Sequence, residues 1–256
     1  MMSDGVSSGN RLSMNGNQGH DMRTIGLLGG MSWESTIPYY REINRYVAER
    51  LGGFHSARIA MWSVDFHRLE ALASAGDWAE IGRILADRAR RLERAGADFI
   101  VLCTNTMHKV APVIESAVDV PLLHIADAIG EAARESGIRT VGLLGTRFTM
   151  AEPFYRERLA MRHGLEVLVP TEEQRAVVDR VIFDELVRGE LREDSREAYV
   201  EIIDDLVARG AEGVILGCTE IGLLVGPDDA TVPLFDSATI HARRAAELAL
   251  APPHGG

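Results

Sequence analysis

The chain has 256 residues, 46% of them hydrophobic, enough to bury one large core or two of middle size. Its formal charge of −11 argues against a nucleic-acid surface, which needs basic patches. No apolar run approaches the length of a membrane span, and only two cysteines are present.

Residues 1–22 are mostly Ser, Gly, Asn and Met with no apolar centre, so they read as a disordered tail and not as a signal peptide. Met22 offers an alternative start, and Pro252 to Gly256 reads as loose. Without an export signal the expected location is the cytoplasm, where thiols stay reduced. Thr24–Gly29 is a short apolar strand closed by glycines, and Trp33 to Leu51 follows with helical spacing behind Ser32 as N-cap. Ala57–Val64 reads as a second strand. Trp78 to Ala95 is an amphipathic helix stopped by Gly96. Phe99–Cys103 is a third strand. From Thr106, Met107, Val110, Ile114 and Val118 fall at helical spacing, and Pro121–Ile125 is a short fourth strand. The second half repeats the scheme: strand Thr140–Leu144, helix Pro153–His163, strand Glu166–Val169, helices Glu173–Arg188 and Ser195–Arg209, then strands Gly213–Gly217 and Val232–Phe235. The last helix, Ser237 to Leu250, is expected to pack back on the first half.

Alternating strands and helices with continuous apolar strands imply an α/β fold of two similar domains, each a parallel sheet covered on both faces. The first would comprise residues 23–125 plus 236–250, the second residues 126–235. The repeat is visible in the residues. Gly26-Leu27-Leu28-Gly29-Gly30 returns as Gly142-Leu143-Leu144-Gly145-Thr146, 116 positions later, and Cys103 returns as Cys218, 115 positions later. Ligands of such sheets bind beyond the carboxyl ends of the strands, where both cysteines, Gly30-Met31-Ser32 and Thr146 lie. One thiol on each side of a pseudo-symmetric cleft is what a proton-swapping enzyme needs.

Each cysteine precedes a turn into a helix, whose N-terminus favours a thiolate. The competing reading is a pair of inert core cysteines. A zinc site is disfavoured, because no Cys-x-x-Cys or His-x-x-His supplies further ligands. Gly29-Gly30-Met31-Ser32 could cradle an anion but lacks dinucleotide or P-loop spacing. Thr104-Asn105-Thr106 clusters polar donors for a ligand or for capping, and Thr219-Glu220 holds the matching place. His108 and His241 read as packing or surface residues, Arg90-Arg91 and Arg243-Arg244 as solvated helix faces.

The string from Thr24 through Gly29-Gly30-Met31-Ser32-Trp33-Glu34 to Thr36, with Cys103-Thr104-Asn105-Thr106-Met107-His108 and Gly217-Cys218-Thr219-Glu220, resembles the aspartate/glutamate racemase superfamily. Within it, the aspartate-racemase and broad-specificity amino-acid racemase branch is the more similar. The resemblance spans Arg23 to Leu250. It implies two α/β domains with the site between them, a cofactor-independent acid/base pair at Cys103 and Cys218, and no metal. Ligand-binding turns would hold Met31, Ser32, Thr104, Asn105, Thr106, Thr146, Thr219 and Glu220, and the assembly would be a homodimer. One thiolate would take the α-proton while the other thiol donates on the opposite face, with polar donors on the α-carboxylate stabilising the carbanion.

Aspartate-specific relatives hold the distal carboxylate with an arginine, matched by Arg68, and a lysine, for which this chain has Val187 beside Arg188. Uncharged amino acids are therefore expected to react at least as well as acidic ones. Alternatives are a related isomerase or hydantoin racemase of the superfamily, and a non-catalytic two-lobed amino-acid-binding protein. A pyridoxal-phosphate racemase would need its imine on Lys109, the single lysine.

Overall fold

The computed structural model describes residues 22–252. The expected tail therefore lies outside the described residues except for Met22, which packs against the core of the first half. Among the described residues, eight strands form two parallel four-stranded sheets. The first contains β1 (Ile25–Gly29), β2 (Ile59–Ser63), β3 (Phe99–Leu102) and β4 (Leu122–Leu123), in the order β2-β1-β3-β4. The second contains β5 (Thr140–Gly145), β6 (Glu166–Leu168), β7 (Gly213–Gly217) and β8 (Leu234–Asp236), in the equivalent order β6-β5-β7-β8.

Helix α1 (Trp33–Leu51) buries Tyr39, Ile43 and Val47, one apolar stripe at four-residue spacing. Ser32 caps it by accepting from the Ser35 N–H. Gly30 precedes it at φ 92°, where a Cβ would stand 2.4 Å from the Val64 carbonyl oxygen, so only glycine fits this turn. Helices α2 (Phe66–Ser74) and α3 (Trp78–Arg94) cover the other face of the first sheet with Leu69, Ile81 and Leu85. The helix expected from Thr106 is split into a 3-10 turn, Thr106–Val110, and α4 (Ala111–Glu115), where Pro112 interrupts the N–H ladder.

In the second half, α5 (Ile125–Glu135), α6 (Arg147–Ala151) and α7 (Pro153–His163) precede α8 (Glu172–Asp184), which opens on a Thr171/Gln174 capping box. The expected helix to Arg188 ends early, passing into a 3-10 turn, Leu186–Arg188. Helices α9 (Glu193–Ala208) and α10 (Ile221–Leu224) flank β7, and α11 (Ser237–Leu250) ends the fold. As expected, α11 returns to the first half. Its alanines 238, 242, 245 and 246 lie against Tyr39, Ile43 and Val47 of α1, small side chains that let two helices approach closely. No helix among the described residues is long and apolar enough to cross a membrane. Sequence reading missed α2, α5, α6 and α10, which are short or follow immediately on a strand.

Candidate active site

The carboxyl ends of β1, β3, β5 and β7 converge on a cavity of about 750 Å³ between the two sheets. From the first half it is lined by Met31, Ser32, Thr104, Asn105 and Thr106. From the second it is lined by Thr146, Cys218, Thr219 and Glu220. Nine of the eleven expected site residues thus meet in one place.

The other two do not. Cys103 is fully buried, in an apolar layer with Ile25, Leu27, Tyr39 and Ala242, and is not part of the cavity wall. Its Sγ turns back toward the Val101 carbonyl at 3.8 Å, and burial pushes the thiol up from its usual range. Strand parity is the reason. Phe99, Val101 and Cys103 share the sheet face covered by α1 and α11, whereas Ile100 and Leu102 face α3. Thr104 is the next residue of the α3-facing set, and it reaches the cavity.

The repeat itself gives the same answer. Leu28 pairs with Leu102, and its counterpart Leu144 pairs with Leu216. Counting on from these partners matches Cys103 with Gly217 and Thr104 with Cys218. At Gly217 a Cβ would stand 2.7 Å from the Leu144 carbonyl oxygen, so the thiol of the second half sits one residue later.

Arg68 also lies away from the cavity wall. It is exposed and paired with Glu80 at 3.2 Å, outside the cavity wall. Val187 does line the cavity, and Arg188 does not. Three arginines that sequence reasoning passed over line it instead: Arg147 at the start of α6, and Arg175 and Arg180 on α8. Arg147 follows Thr146 in the turn that repeats the Gly30-Met31 turn, which was the available signal. Phe66 of α2 and Phe148 of α6 add apolar wall.

The polar groups are held in defined directions. The Cys218 thiol donates to Oε2 of Glu220 at 3.1 Å, and the Thr219 hydroxyl donates to the same oxygen at 2.5 Å. The Ser32 hydroxyl reaches Oε1 from the first half at 3.3 Å. Burial first, and then the Glu220 carboxylate, hold Cys218 well above an ordinary thiol. This reverses the expected lowering by a helix N-terminus, since α10 is a single turn with a carboxylate at its start.

Thr106 and Thr146 hydroxyls meet at 3.0 Å across the two halves. Asn105 Nδ2 donates to Ser237 Oγ at 2.9 Å, and that hydroxyl donates to the Leu216 carbonyl at 2.7 Å. With the Ser237 proton so committed, Asn105 must turn its NH₂ to Ser237. Its Oδ1 is left as a buried acceptor without a partner, at the cavity wall. Lys109 is bound to Glu152 at 2.6 Å and lies over the Trp78 ring at 3.9 Å, away from the cavity wall.

Comparison with known proteins bears on this arrangement. The Asp/Glu/hydantoin racemase family model matches residues 28–245, which include both halves and every cavity turn. The chain belongs to this family. Among the racemase family's solved members, it is similar to a candidate Asp/Glu racemase of Yersinia pestis, with 53% identity, 90% of this chain and 100% of that one covered, and a TM-score of 0.86. An aspartate racemase homologue from Pyrococcus horikoshii shares 38% identity, over 89% and 99% of the two chains, with a TM-score of 0.78. The broad-specificity amino-acid racemase RacX of Bacillus subtilis is 24% identical over 232 residues, 89% of this chain and 98% of RacX.

Proposed function

We propose that this family member is a cofactor-independent amino-acid racemase whose two proton-transfer groups are Cys218 and Thr104. The observation that carries the reading is the cavity between the two sheets, where Cys218 and Thr104, the residue after Cys103, stand at equivalent ends of equivalent strands. The two lobes are residues 23–125 with 236–250 and residues 126–235.

The pair is asymmetric. At rest Cys218 is protonated and hydrogen-bonded to Glu220. Passing that proton to the carboxylate gives the thiolate that attacks the α-hydrogen. The Cα–H pair of electrons stays on carbon, and the proton ends on sulfur. On the opposite face the Thr104 hydroxyl delivers a proton to carbon while taking one from cavity water, so no free alkoxide is formed. The proton left on the Cys218–Glu220 pair returns to solvent. Reversal carries the other enantiomer. The free Oδ1 of Asn105 suits the substrate ammonium, and the hydroxyls of Thr146 and Thr219 are placed for the α-carboxylate, where carbanion charge develops.

Phe66, Phe148 and Val187 give the side chain an apolar wall, and Arg147 and Arg175 bring cationic groups with no carboxylate partner among the described residues. This combination suits uncharged as well as acidic side chains. The test is a panel of L- and D-amino acids with a hydantoin control in D₂O, read by Cα deuterium uptake and chiral chromatography. Inversion accompanied by uptake of one deuteron is expected for some amino acids. Binding without exchange would leave a two-lobed binding protein, and exchange of the hydantoin alone would assign the related isomerase reaction.

A further inference from the structure

The chain has a single lysine, and it stands on the boundary between the two halves, just outside the cavity wall. Lys109 lies in the 3-10 turn that follows Asn105. Its ammonium donates to both carboxylate oxygens of Glu152, at 2.7 and 2.6 Å, with the two side chains only 24% and 28% exposed. The same ammonium lies 3.9 Å from the centre of the Trp78 ring. Trp78, at the start of α3, in turn meets Phe148 of α6 edge to face, with ring centres 5.2 Å apart and planes at 76°. An ion pair set on an aromatic face and largely shielded from water holds more firmly than an exposed one.

Helix α6 needs such support. It has only five residues, too few to hold a helical turn by its own hydrogen bonds. Its position is set from outside, at three points along its length. Thr146, its N-cap, meets the Thr106 hydroxyl at 3.0 Å. Phe148 meets Trp78, and Glu152, directly after the last residue, meets Lys109. All three partners belong to the first half. Toward the cavity α6 presents Arg147, Phe148 and Ala151, and of these the Phe148 ring is the large apolar surface. Thr146, placed for the α-carboxylate, is two residues away. The ring therefore stands within reach of the side chain of an amino acid held there.

We propose that Phe148 is the specificity-determining contact for the substrate side chain, and that Lys109 is its positioning residue, acting through Glu152 and Trp78. This rests on the reading of the cavity as an amino-acid racemase site, and not on which first-half group transfers the proton. A cavity of about 750 Å³ is much larger than an amino acid, so the ring acts as a contact surface and not as a block. Its loss weakens the hold on long side chains and leaves short ones nearly untouched.

The test compares kcat/KM for methionine and alanine, two uncharged substrates that differ in how far they reach. Phe148→Ala should lower the methionine-to-alanine ratio about tenfold or more, the size expected when an apolar pocket loses contact with a methylene or two. Lys109→Met keeps an apolar stem over Trp78 but frees Glu152, and should lower the ratio about three- to fivefold. Lys109→Arg keeps the charge and should leave the ratio at the parent value. A ratio of two substrates on one enzyme does not depend on the fraction folded. Added to Phe148→Ala, Lys109→Met should change the ratio no further, because its effect passes through the ring. An unchanged or raised ratio in Phe148→Ala overturns the inference. So does a Lys109→Met effect that is absent, that falls equally on both substrates, or that persists without the ring, since the clasp is then structural only. A parent that binds both amino acids without Cα–H exchange overturns the racemase reading alone, because the same ratio taken from dissociation constants still decides for or against Phe148.

Discussion

Exchanging the roles of two adjacent residues gives the sharpest test of the site. Cys103→Ala removes one sulfur atom from a closed apolar layer. Its contact with the Val101 carbonyl, at 3.8 Å, is too long to count as a strong hydrogen bond, so the loss is one of packing. Deleting a buried group the size of a methylene costs about 1–2 kcal/mol, including the small void that remains. For a chain of this length that corresponds to a fall in Tm of roughly 2–6 °C. Racemisation per folded molecule should stay within about threefold of the parent, because no group at the cavity has moved. Thr104→Val has the opposite signature. It keeps the branched shape at a position that is already mostly buried, but deletes the hydroxyl. Removing a general acid typically costs on the order of 10²–10⁴ in rate, so inversion should fall by that much while Tm moves little. The assays are chiral chromatography for kcat and KM and calorimetry for Tm, run on both variants side by side. A folded Cys103→Ala enzyme without activity, together with an active Thr104→Val enzyme, would restore the two-thiol scheme and refute the argument from strand parity.

Two further outcomes follow from the charges at the site and behind it. Glu220→Gln removes the carboxylate that, after burial, holds Cys218 up, so the thiolate absorbance of Cys218 should titrate at lower pH than in the parent, and racemisation should nevertheless fall because the thiol has lost its proton acceptor. An unchanged titration would show that Glu220 does not touch the thiol in solution. The buried histidines make stability pH-dependent in a stated direction. Burial holds His241 at about 4, and burial followed by Arg158 holds His124 at about 2, against about 6.5 in the unfolded chain. The unfolded state therefore binds protons first, and stability falls as pH drops below about 6.5, His241 alone accounting for about 3 kcal/mol by pH 4. Urea unfolding at pH 7, 5.5 and 4.5 should show this slope, and His241→Asn should reduce it. A flat profile would mean that these rings are not held neutral in the folded state.

Much of the fold can be read from local pattern alone. Apolar strands between amphipathic helices force parallel sheets, because both faces of each strand must be covered. Helices with clear capping signals, α1, α7 and α11, begin and end where the sequence places them, and the duplicated Gly-Leu-Leu-Gly strand marks two equivalent sheets. The same duplication identifies the strand ends at which a ligand binds, and nine of the named residues do line one cavity.

What the sequence could not fix is which side of a strand a given residue faces once the strand has ended. Matching the two cysteines to each other is natural by residue type, yet strand pairing aligns Cys218 with Thr104, because the second half has a glycine where the first has Cys103. A shift of one residue carries a side chain to the opposite face of a sheet. Here that single position separates a thiol in a dry core from a hydroxyl at the cavity. The cavity arginines were hidden for a related reason. Arg147 and Arg175 lie far from the first-half turns in the chain, and only the docking of α6 and α8 brings them to the site. Local periodicity determines which residues are buried, and the packing of distant elements decides which of them meet.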